Sequence, residues 1–251
     1  MTAILEVTKA TRRFGGLVAV NDVSFKVSST GVTAVIGPNG AGKTTLFNII
    51  SGSIPPSEGA ILLAGEDVTA LKPEAKAARG LVRTFQLVKL FQDLTATENV
   101  KVGFHLKSRG GLLAALFQPA WAKQAERDAE EKAAALLDLV GLSKVARTSA
   151  SVLPYGQQRL LEIARALAAE PRILLLDEPA AGLNAEESER LAKTIRRIAA
   201  DGTAVLLIEH DMKLVMDIAD EVVVLDYGRK IAQGTPEAVK KDPAVLAAYL
   251  G

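Results

Sequence analysis

Runs of consecutive apolar residues punctuate the chain, and other stretches alternate apolar with polar residues. Residues 32–36, 173–176 and 203–208 are short and largely apolar, which predicts strands that are buried on both faces. Residues 3–9 and 22–28 instead alternate, as half-buried antiparallel strands do. The pattern therefore predicts an α/β core with an antiparallel β layer beside it.

Helical spacing of apolar residues predicts most of the other elements. The charged segment 97–141 carries an apolar stripe with three- and four-residue spacing that ends at Gly141. The stripe comprises Ala122, Ala125, Ala129, Ala133, Leu136, Leu137 and Val140. The charged residues between them most simply form a solvated face rather than a binding surface. Further helices are predicted at 43–51, 155–168, 184–200 and 212–219, and two more follow Thr235-Pro236 and Asp242-Pro243. The sequence also predicts a strand at 221–226 and a hairpin at 60–68 that turns at Gly65-Glu66-Asp67.

Composition narrows the functional classes. Apolar residues make up 49% of the 251 residues, which is enough for a sizeable core. The 30 lysines and arginines nearly balance the 29 aspartates and glutamates, which argues against a dedicated nucleic-acid-binding protein. The absence of cysteine excludes disulfides and fits a cytosolic protein. Because the sequence shows neither a signal peptide nor a run of about 18 apolar residues, we expect any membrane span to come from another chain.

A glycine-rich loop follows the first buried run and matches the phosphate-binding pattern G-x-x-x-x-G-K-[ST]. It extends from Gly37 to Thr45, between a predicted strand and a predicted helix, as the motif requires. Its glycines let backbone N–H groups converge on phosphate oxygens at a helix N-terminus. We expect Lys43 to reach the β- and γ-phosphates and the Thr44 hydroxyl to ligate Mg²⁺. The candidate ATP-binding residues of the loop are Asn39, Gly40, Ala41, Gly42, Lys43, Thr44 and Thr45.

Two carboxylates, Asp177 and Glu178, end the second buried run. Ligand groups in open α/β sheets lie at the carboxyl ends of the strands. A carboxylate at Asp177 can hold Mg²⁺, and Glu178 can act as a general base on an attacking water. A solvated acidic pair is the simpler alternative, but the phosphate-binding loop in the same chain favours a nucleotide site.

These motifs, taken in order with several weaker ones, resemble the ATP-binding cassette (ABC) family over nearly the whole chain. Leu153-Pro154-Tyr155-Gly156-Gln157-Gln158-Arg159 is similar to the family signature Leu-Ser-Gly-Gly-Gln. Gln86 lies where the family has its Q-loop glutamine, and Ala181-Gly182-Leu183-Asn184 is similar to the D-loop. His210 resembles the switch histidine and Phe14 the aromatic residue that stacks on adenine. Each would more often be an ordinary surface or core residue if it stood alone.

The resemblance implies specific roles for these residues. Glu178, His210 and Gln86 are the implied catalytic residues. Thr44, Gln86 and Asp177 are the implied Mg²⁺ ligands. Phe14 and the loop would bind ATP, and Tyr155, Gly156 and Gln157 would reach the nucleotide of a second subunit. Two departures weaken the expected contacts, because Pro154 replaces a serine and Asn184 replaces an aspartate.

The resemblance implies a single ABC ATPase domain over residues 1–251. Residues 1–89 and 156–251 would form the P-loop core with its antiparallel β layer, and residues 90–155 a helical subdomain. The chain is most similar to the ATPase subunits of branched-chain amino acid importers, notably in Phe14-Gly15-Gly16-Leu17, Arg83-Thr84-Phe85-Gln86 and the Ala248-Tyr249-Leu250-Gly251 tail.

Such a subunit would pair with a second ATPase and a transmembrane permease at the cytoplasmic face of the membrane. It would serve a solute-binding protein indirectly and bind no nucleic acid. A lipid or lipopolysaccharide export ATPase, or an ABC ATPase outside transport, are the alternatives.

Overall fold

The computed structural model describes residues 3–84, 89–104 and 120–250, and the chain divides into two compact units. The first unit combines Met1–Gln86 with Arg172–Gly251, and the second is Leu87–Pro171. The predicted helical subdomain ends at residue 155, whereas the second unit continues to Pro171 because the helix after the signature residues packs within it.

The first unit holds two β-sheets. A four-stranded antiparallel sheet has the order β2-β1-β4-β5, and a six-stranded sheet has the order β10-β9-β3-β8-β7-β6. In chain order the strands are β1 Ala3–Phe14, β2 Leu17–Ser28, β3 Val32–Ile36, β4 Glu58–Leu63, β5 Glu66–Asp67, β6 Leu81–Arg83, β7 Ile173–Asp177, β8 Ala204–Ile208, β9 Glu221–Asp226 and β10 Arg229–Gly234.

The six-stranded sheet confirms the predicted buried runs. Strands β9, β3, β8, β7 and β6 are parallel, and only β10 pairs antiparallel, at one edge. Every residue of β3, β7 and β8 is buried, as expected for strands covered on both faces. The carboxyl ends of these parallel strands lie at the same end of the sheet, so the segments that follow them lie near one another.

The antiparallel strands are longer than the sequence predicts. The alternation breaks at bulges within β1, but pairing with β2 continues to Phe14 and Leu17 around the turn at Gly15. The second hairpin turns at Ala64 and Gly65, not at Gly65-Glu66-Asp67, because both residues adopt positive φ and Glu66 already pairs with β4.

The helices of the first unit follow their predicted bounds closely. Residues 73–77, 81–83 and 229–234 form elements that the sequence did not predict, because short or exposed segments carry no clear apolar period. The helix Lys43–Ser51 packs with both sheets in one core, which includes Phe25, Phe47 and Leu206. The helices are α1 Lys43–Ser51, α2 Pro73–Ala77, α3 Ala96–Gly103, α4 Ala120–Leu139, α5 Tyr155–Leu167, α6 Ala185–Ala200, α7 Met212–Ile218, α8 Pro236–Val239 and α9 Pro243–Leu250; of these, α3, α4 and α5 belong to the second unit.

The second unit is helical. Its buried cluster joins side chains of α3, α4 and α5, including Val100, Leu137 and Leu161. Gly103 allows close approach, since a Cβ there would lie 2.3 Å from the carbonyl oxygen of Arg165. The predicted stripe is wrong at Ala125, which is exposed, whereas Ala129 and Leu136 are partly buried and Ala133, Leu137 and Val140 are buried. The side chain of Ala122 lies outside the described residues.

No helix within the described residues combines the length and apolar character needed to cross a bilayer.

Candidate active site

The glycine-rich loop joins β3 to α1 at the carboxyl edge of the six-stranded sheet. Gly42 immediately precedes α1 with φ 95°, a left-handed conformation that disfavours residues with a Cβ. A Cβ at Gly42 would also lie 2.4 Å from the carbonyl oxygen of Ala19. The loop therefore owes its shape to glycine, and its backbone lies against β2.

Lys43 is the first residue of α1, and its side chain is folded into the loop. Its Nζ donates hydrogen bonds to the carbonyl oxygens of Gly37, at 2.7 Å, and Pro38, at 3.0 Å. Burial lowers the pKa of Lys43, and the nearby carboxylate of Glu178 acts in the opposite direction. The lysine thus places a buried cation in a loop suited to phosphate.

A cavity of about 570 Å³ opens beside this loop. All seven loop residues predicted to bind ATP, Asn39 to Thr45, line it together with Glu178. The remaining lining residues, which the sequence analysis did not predict, are Leu17, Val18, Ala19, Tyr227 and Gly228. Tyr227 belongs to the β9–β10 turn and no sequence motif singles it out, so only the sheet order brings it here.

Phe14 and His210 are not among the residues that line this cavity. Phe14 ends β1, is 45% exposed and lies 4.7 Å, measured to its ring centre, from the Arg12 guanidinium carbon. The predicted stacking of Phe14 on adenine therefore remains a prediction.

Asp177 is the last residue of β7 and is buried. Its Oδ2 accepts a hydrogen bond from Arg83 Nη2 at 2.5 Å. Arg83 also donates to Asn48 Oδ1 and Ser51 Oγ on α1, at 2.7 and 2.9 Å. Arg83 thus ties the carboxylate to the helix that begins at the glycine-rich loop. Sequence reasoning missed this link, because Arg83 lies in a three-residue strand and carries no motif of its own.

Glu178 follows β7 with φ 45°, outside the strand conformation. Its N–H donates to the carbonyl oxygen of Ile208 at the end of β8, at 3.1 Å. Its Oε2 lies 3.9 Å from His210 Nδ1, so the structure brings together these two predicted catalytic side chains. Gln86, the third, lies outside the described residues.

The signature residues belong to the second unit and begin α5. Pro154 is the N-cap, with extended ψ of 151° and no side-chain capping bond, and Tyr155, Gly156 and Gln157 form the first turn. Their predicted contact with a second subunit's nucleotide remains a prediction. Asn184, the departure in the D-loop-like segment, caps α6 in a reciprocal pair with Glu187, with both hydrogen bonds at 3.0 Å.

Comparison with known proteins identifies the family. The family model described as ABC transporter matches residues 20–181. This chain belongs to the ABC transporter family. The model described as branched-chain amino acid ATP-binding cassette transporter matches residues 229–251.

Known ABC proteins are similar to this ABC protein over most of its length. It is 50% identical to the high-affinity branched-chain amino acid transport ATP-binding protein BraF of Pseudomonas aeruginosa, over 99% of this chain and 98% of that protein. The crystal structure of the ADP conformation of an ATP-binding cassette from an ABC transporter is 32% identical, covers 100% of both chains and has a TM-score of 0.87. A dimeric structure of a bacterial ABC transporter cassette is 25% identical, covers 92% of this chain and 98% of that chain and has a TM-score of 0.75.

These findings confirm the resemblance, the fold class and the enzyme class expected from the sequence. The chain is an ATP-binding ABC ATPase with a P-loop core, and it hydrolyses ATP. The roles of individual residues rest on geometry and remain predictions.

Proposed function

We propose that this ABC ATPase energises the import of branched-chain or related amino acids. The observation that carries the proposal is the 50% identity, over nearly the whole chain, to an ATP-binding protein named for high-affinity branched-chain amino acid transport. The match of residues 229–251 to the branched-chain cassette model supports it independently of the nucleotide-binding motifs.

ATP would bind in the cavity beside the glycine-rich loop. Lys43 supplies a buried cation, and the loop supplies N–H groups at the start of α1. Phe14 would hold the adenine. Thr44, which lines the cavity, carries a hydroxyl, and Asp177 carries a buried carboxylate; both are hard oxygen donors of the kind that Mg²⁺ prefers. Gln86 is the third proposed ligand. Bound Mg²⁺ would neutralise phosphate charge during hydrolysis.

Glu178 is the proposed general base. It lines the cavity on the same edge of the sheet as Lys43, and its carboxylate opposes the lowering of the Lys43 pKa by burial. A base in this position can orient and deprotonate an attacking water. His210 would support the γ-phosphate from beside Glu178, and Gln86 is the third proposed catalytic residue.

The working assembly contains two ATPase subunits. The dimeric cassette structure supports this expectation. Each subunit would offer Tyr155, Gly156 and Gln157 to its partner's ATP, with the N-terminus of α5 directed at phosphate. Permease subunits would hold the pair at the cytoplasmic face of the membrane, and a solute-binding protein would deliver the amino acid.

Reconstitution tests this function. The tagged chain is co-expressed with the permease and solute-binding protein of a branched-chain amino acid importer from the same organism, purified and placed in proteoliposomes. We expect ATP-dependent uptake of radiolabelled leucine, isoleucine or valine, and none with a Glu178→Gln subunit. Co-purification with a lipid or lipopolysaccharide export complex, or the absence of any co-purifying permease together with no ATP-dependent uptake, would refute the importer assignment.

A further inference from the structure

Glu209 is a fully buried carboxylate that no sequence motif explains. It follows β8 directly and precedes His210. Its side chain has 0% exposure. Burying an ionised carboxylate is unfavourable unless its oxygens accept hydrogen bonds, so the hydrogen-bond donors around Glu209 indicate its role.

The two carboxylate oxygens bind two different segments. Oε1 accepts the N–H of Ala180 at 2.8 Å. Oε2 accepts the N–H of His210 at 3.0 Å and that of Asp211 at 3.3 Å. Burial raises the pKa of Glu209, and these three backbone donors oppose the rise. One side chain thus joins the loop after β7 to the loop after β8.

Both loops carry a proposed catalytic side chain. Ala180 lies two residues after Glu178, and His210 follows Glu209 directly. The pairing of β7 with β8 aligns the strand ends, down to Asp177 opposite Ile208. Beyond that point the Glu178 N–H donates to the carbonyl oxygen of Ile208 at the end of β8, and the Ala180 N–H donates to Glu209 in the following loop. Glu209 therefore holds the two loops together beyond the last paired residues of β7 and β8, in the segments that carry the proposed catalytic side chains.

We propose that Glu209 is a positioning residue for ATP hydrolysis, which fixes His210 relative to Glu178 through the backbone of the two loops. This inference rests on the proposed roles of Glu178 and His210. It assigns to Glu209 no contact with nucleotide. Loss of the residue should therefore slow the chemical step and leave nucleotide binding intact, since the phosphate-binding loop takes no part in the network.

The test compares wild type with Glu209→Gln. The amide keeps the size of the side chain but replaces one acceptor oxygen with an NH₂ group, so the N–H of Ala180 or those of His210 and Asp211 lose their partner. We expect kcat to fall about tenfold or more, because misplacement by about 1 Å can cost about a hundredfold. The KM for ATP and the affinity for a fluorescent ATP analogue should change less than about threefold, as expected when only the chemical step is affected.

Amide hydrogen exchange separates positioning from a general loss of stability. In Glu209→Gln we expect faster exchange that is confined to Ala180, His210 and Asp211, whereas a general loss of stability would accelerate exchange throughout the core. Asp220→Asn is the control for loss of a carboxylate that accepts a backbone N–H away from the site. Asp220 accepts the N–H of Val32 at 2.8 Å at the opposite end of the sheet and, unlike Glu209, is exposed and pairs with Arg196. The Asp220→Asn change should leave kcat unchanged.

Three outcomes would overturn the inference. One is an unchanged kcat in folded Glu209→Gln, and another is a joint loss of kcat, nucleotide affinity and overall stability. The third concerns the wild type: if the amide hydrogens of Ala180 and His210 exchange as fast as those of exposed loops, the hydrogen bonds to Glu209 do not hold the two loops together. Glu178→Gln, measured alongside, separates the two levels of argument. Full turnover in Glu178→Gln would refute the catalytic role of Glu178 itself. If Glu178→Gln loses turnover but Glu209→Gln keeps it, only the positioning role of Glu209 is refuted.

Discussion

Lys76 is a fully buried lysine, and the free energy of unfolding should rise with pH as the folded chain releases its proton. It lies in α2, and its Nζ donates to the carbonyl oxygens of Ile50, at 2.9 Å, and Ile49, at 3.3 Å. These are among the last carbonyls of α1, the helix that begins at the phosphate-binding loop. Burial lowers the pKa of Lys76 to about 8, from an ordinary value of 10.5.

The sign of the effect follows from proton binding. Between about pH 8 and 10.5 the unfolded chain keeps the Lys76 proton and the folded chain releases it. Stability rises with pH wherever the unfolded state binds more protons. Below pH 8 both states are protonated and the penalty for burying the cation is fully present. Integrating the two titration curves from pH 7.5 to 9.5 gives a gain of about 2 kcal/mol from this one group.

The assay is urea unfolding followed by circular dichroism at several pH values between 7.5 and 9.5. Lys76→Met keeps the length of the side chain and removes the titrating group. The free energy of unfolding of wild type should therefore gain about 2 kcal/mol over the variant across this range. Lys72→Met, which removes an exposed lysine four residues earlier, should retain the wild-type pH dependence. Parallel pH profiles for wild type and Lys76→Met would refute the reasoning.

Four further substitutions test the nucleotide site and the signature helix. Lys43→Ala should weaken ATP binding and abolish hydrolysis without changing the circular dichroism spectrum, because the loop loses its buried cation; wild-type turnover by the folded variant would contradict the loop assignment. Glu178→Gln should bind ATP normally and hydrolyse it about 10²–10⁴-fold more slowly, so that ATP-dependent dimers accumulate on size-exclusion chromatography; a loss below about tenfold would leave Glu178 as a positioning group only. Gly42→Ala should weaken the binding of a fluorescent ATP analogue at least about tenfold, or about 1.4 kcal/mol, because the new Cβ would overlap the carbonyl of Ala19, and unchanged affinity would show that the loop tolerates the overlap. Pro154→Ser should stabilise its helix by about 1 kcal/mol through a new N-cap and tighten the ATP-dependent dimer in sedimentation experiments, and an unchanged or weaker dimer would show that the missing hydroxyl does not limit closure.

The sequence by itself determined the features that depend on neighbours along the chain. The glycine-rich loop is recognisable because its glycines, lysine and flanking apolar run are contiguous. The Asn184–Glu187 cap and the end of α1 at Gly52 were predictable for the same reason, since capping involves residues within one turn. The buried runs gave three of the parallel strands, because strands covered on both faces need apolar residues at every position.

Tertiary structure decided every feature that joins distant segments. The order of the parallel strands places Arg83 beside Asp177, 94 residues away, and Glu209 beside Ala180, 29 residues away. Arg83 and Glu209 show no unusual local pattern, so periodicity and motifs could not reveal these two contacts. The short edge elements were missed for a related reason: β6 and β10 are specified by the strands they pair with and not by their own composition. A buried charge such as Lys76 is likewise invisible in sequence, because only the packing of α2 against the end of α1 takes it out of water.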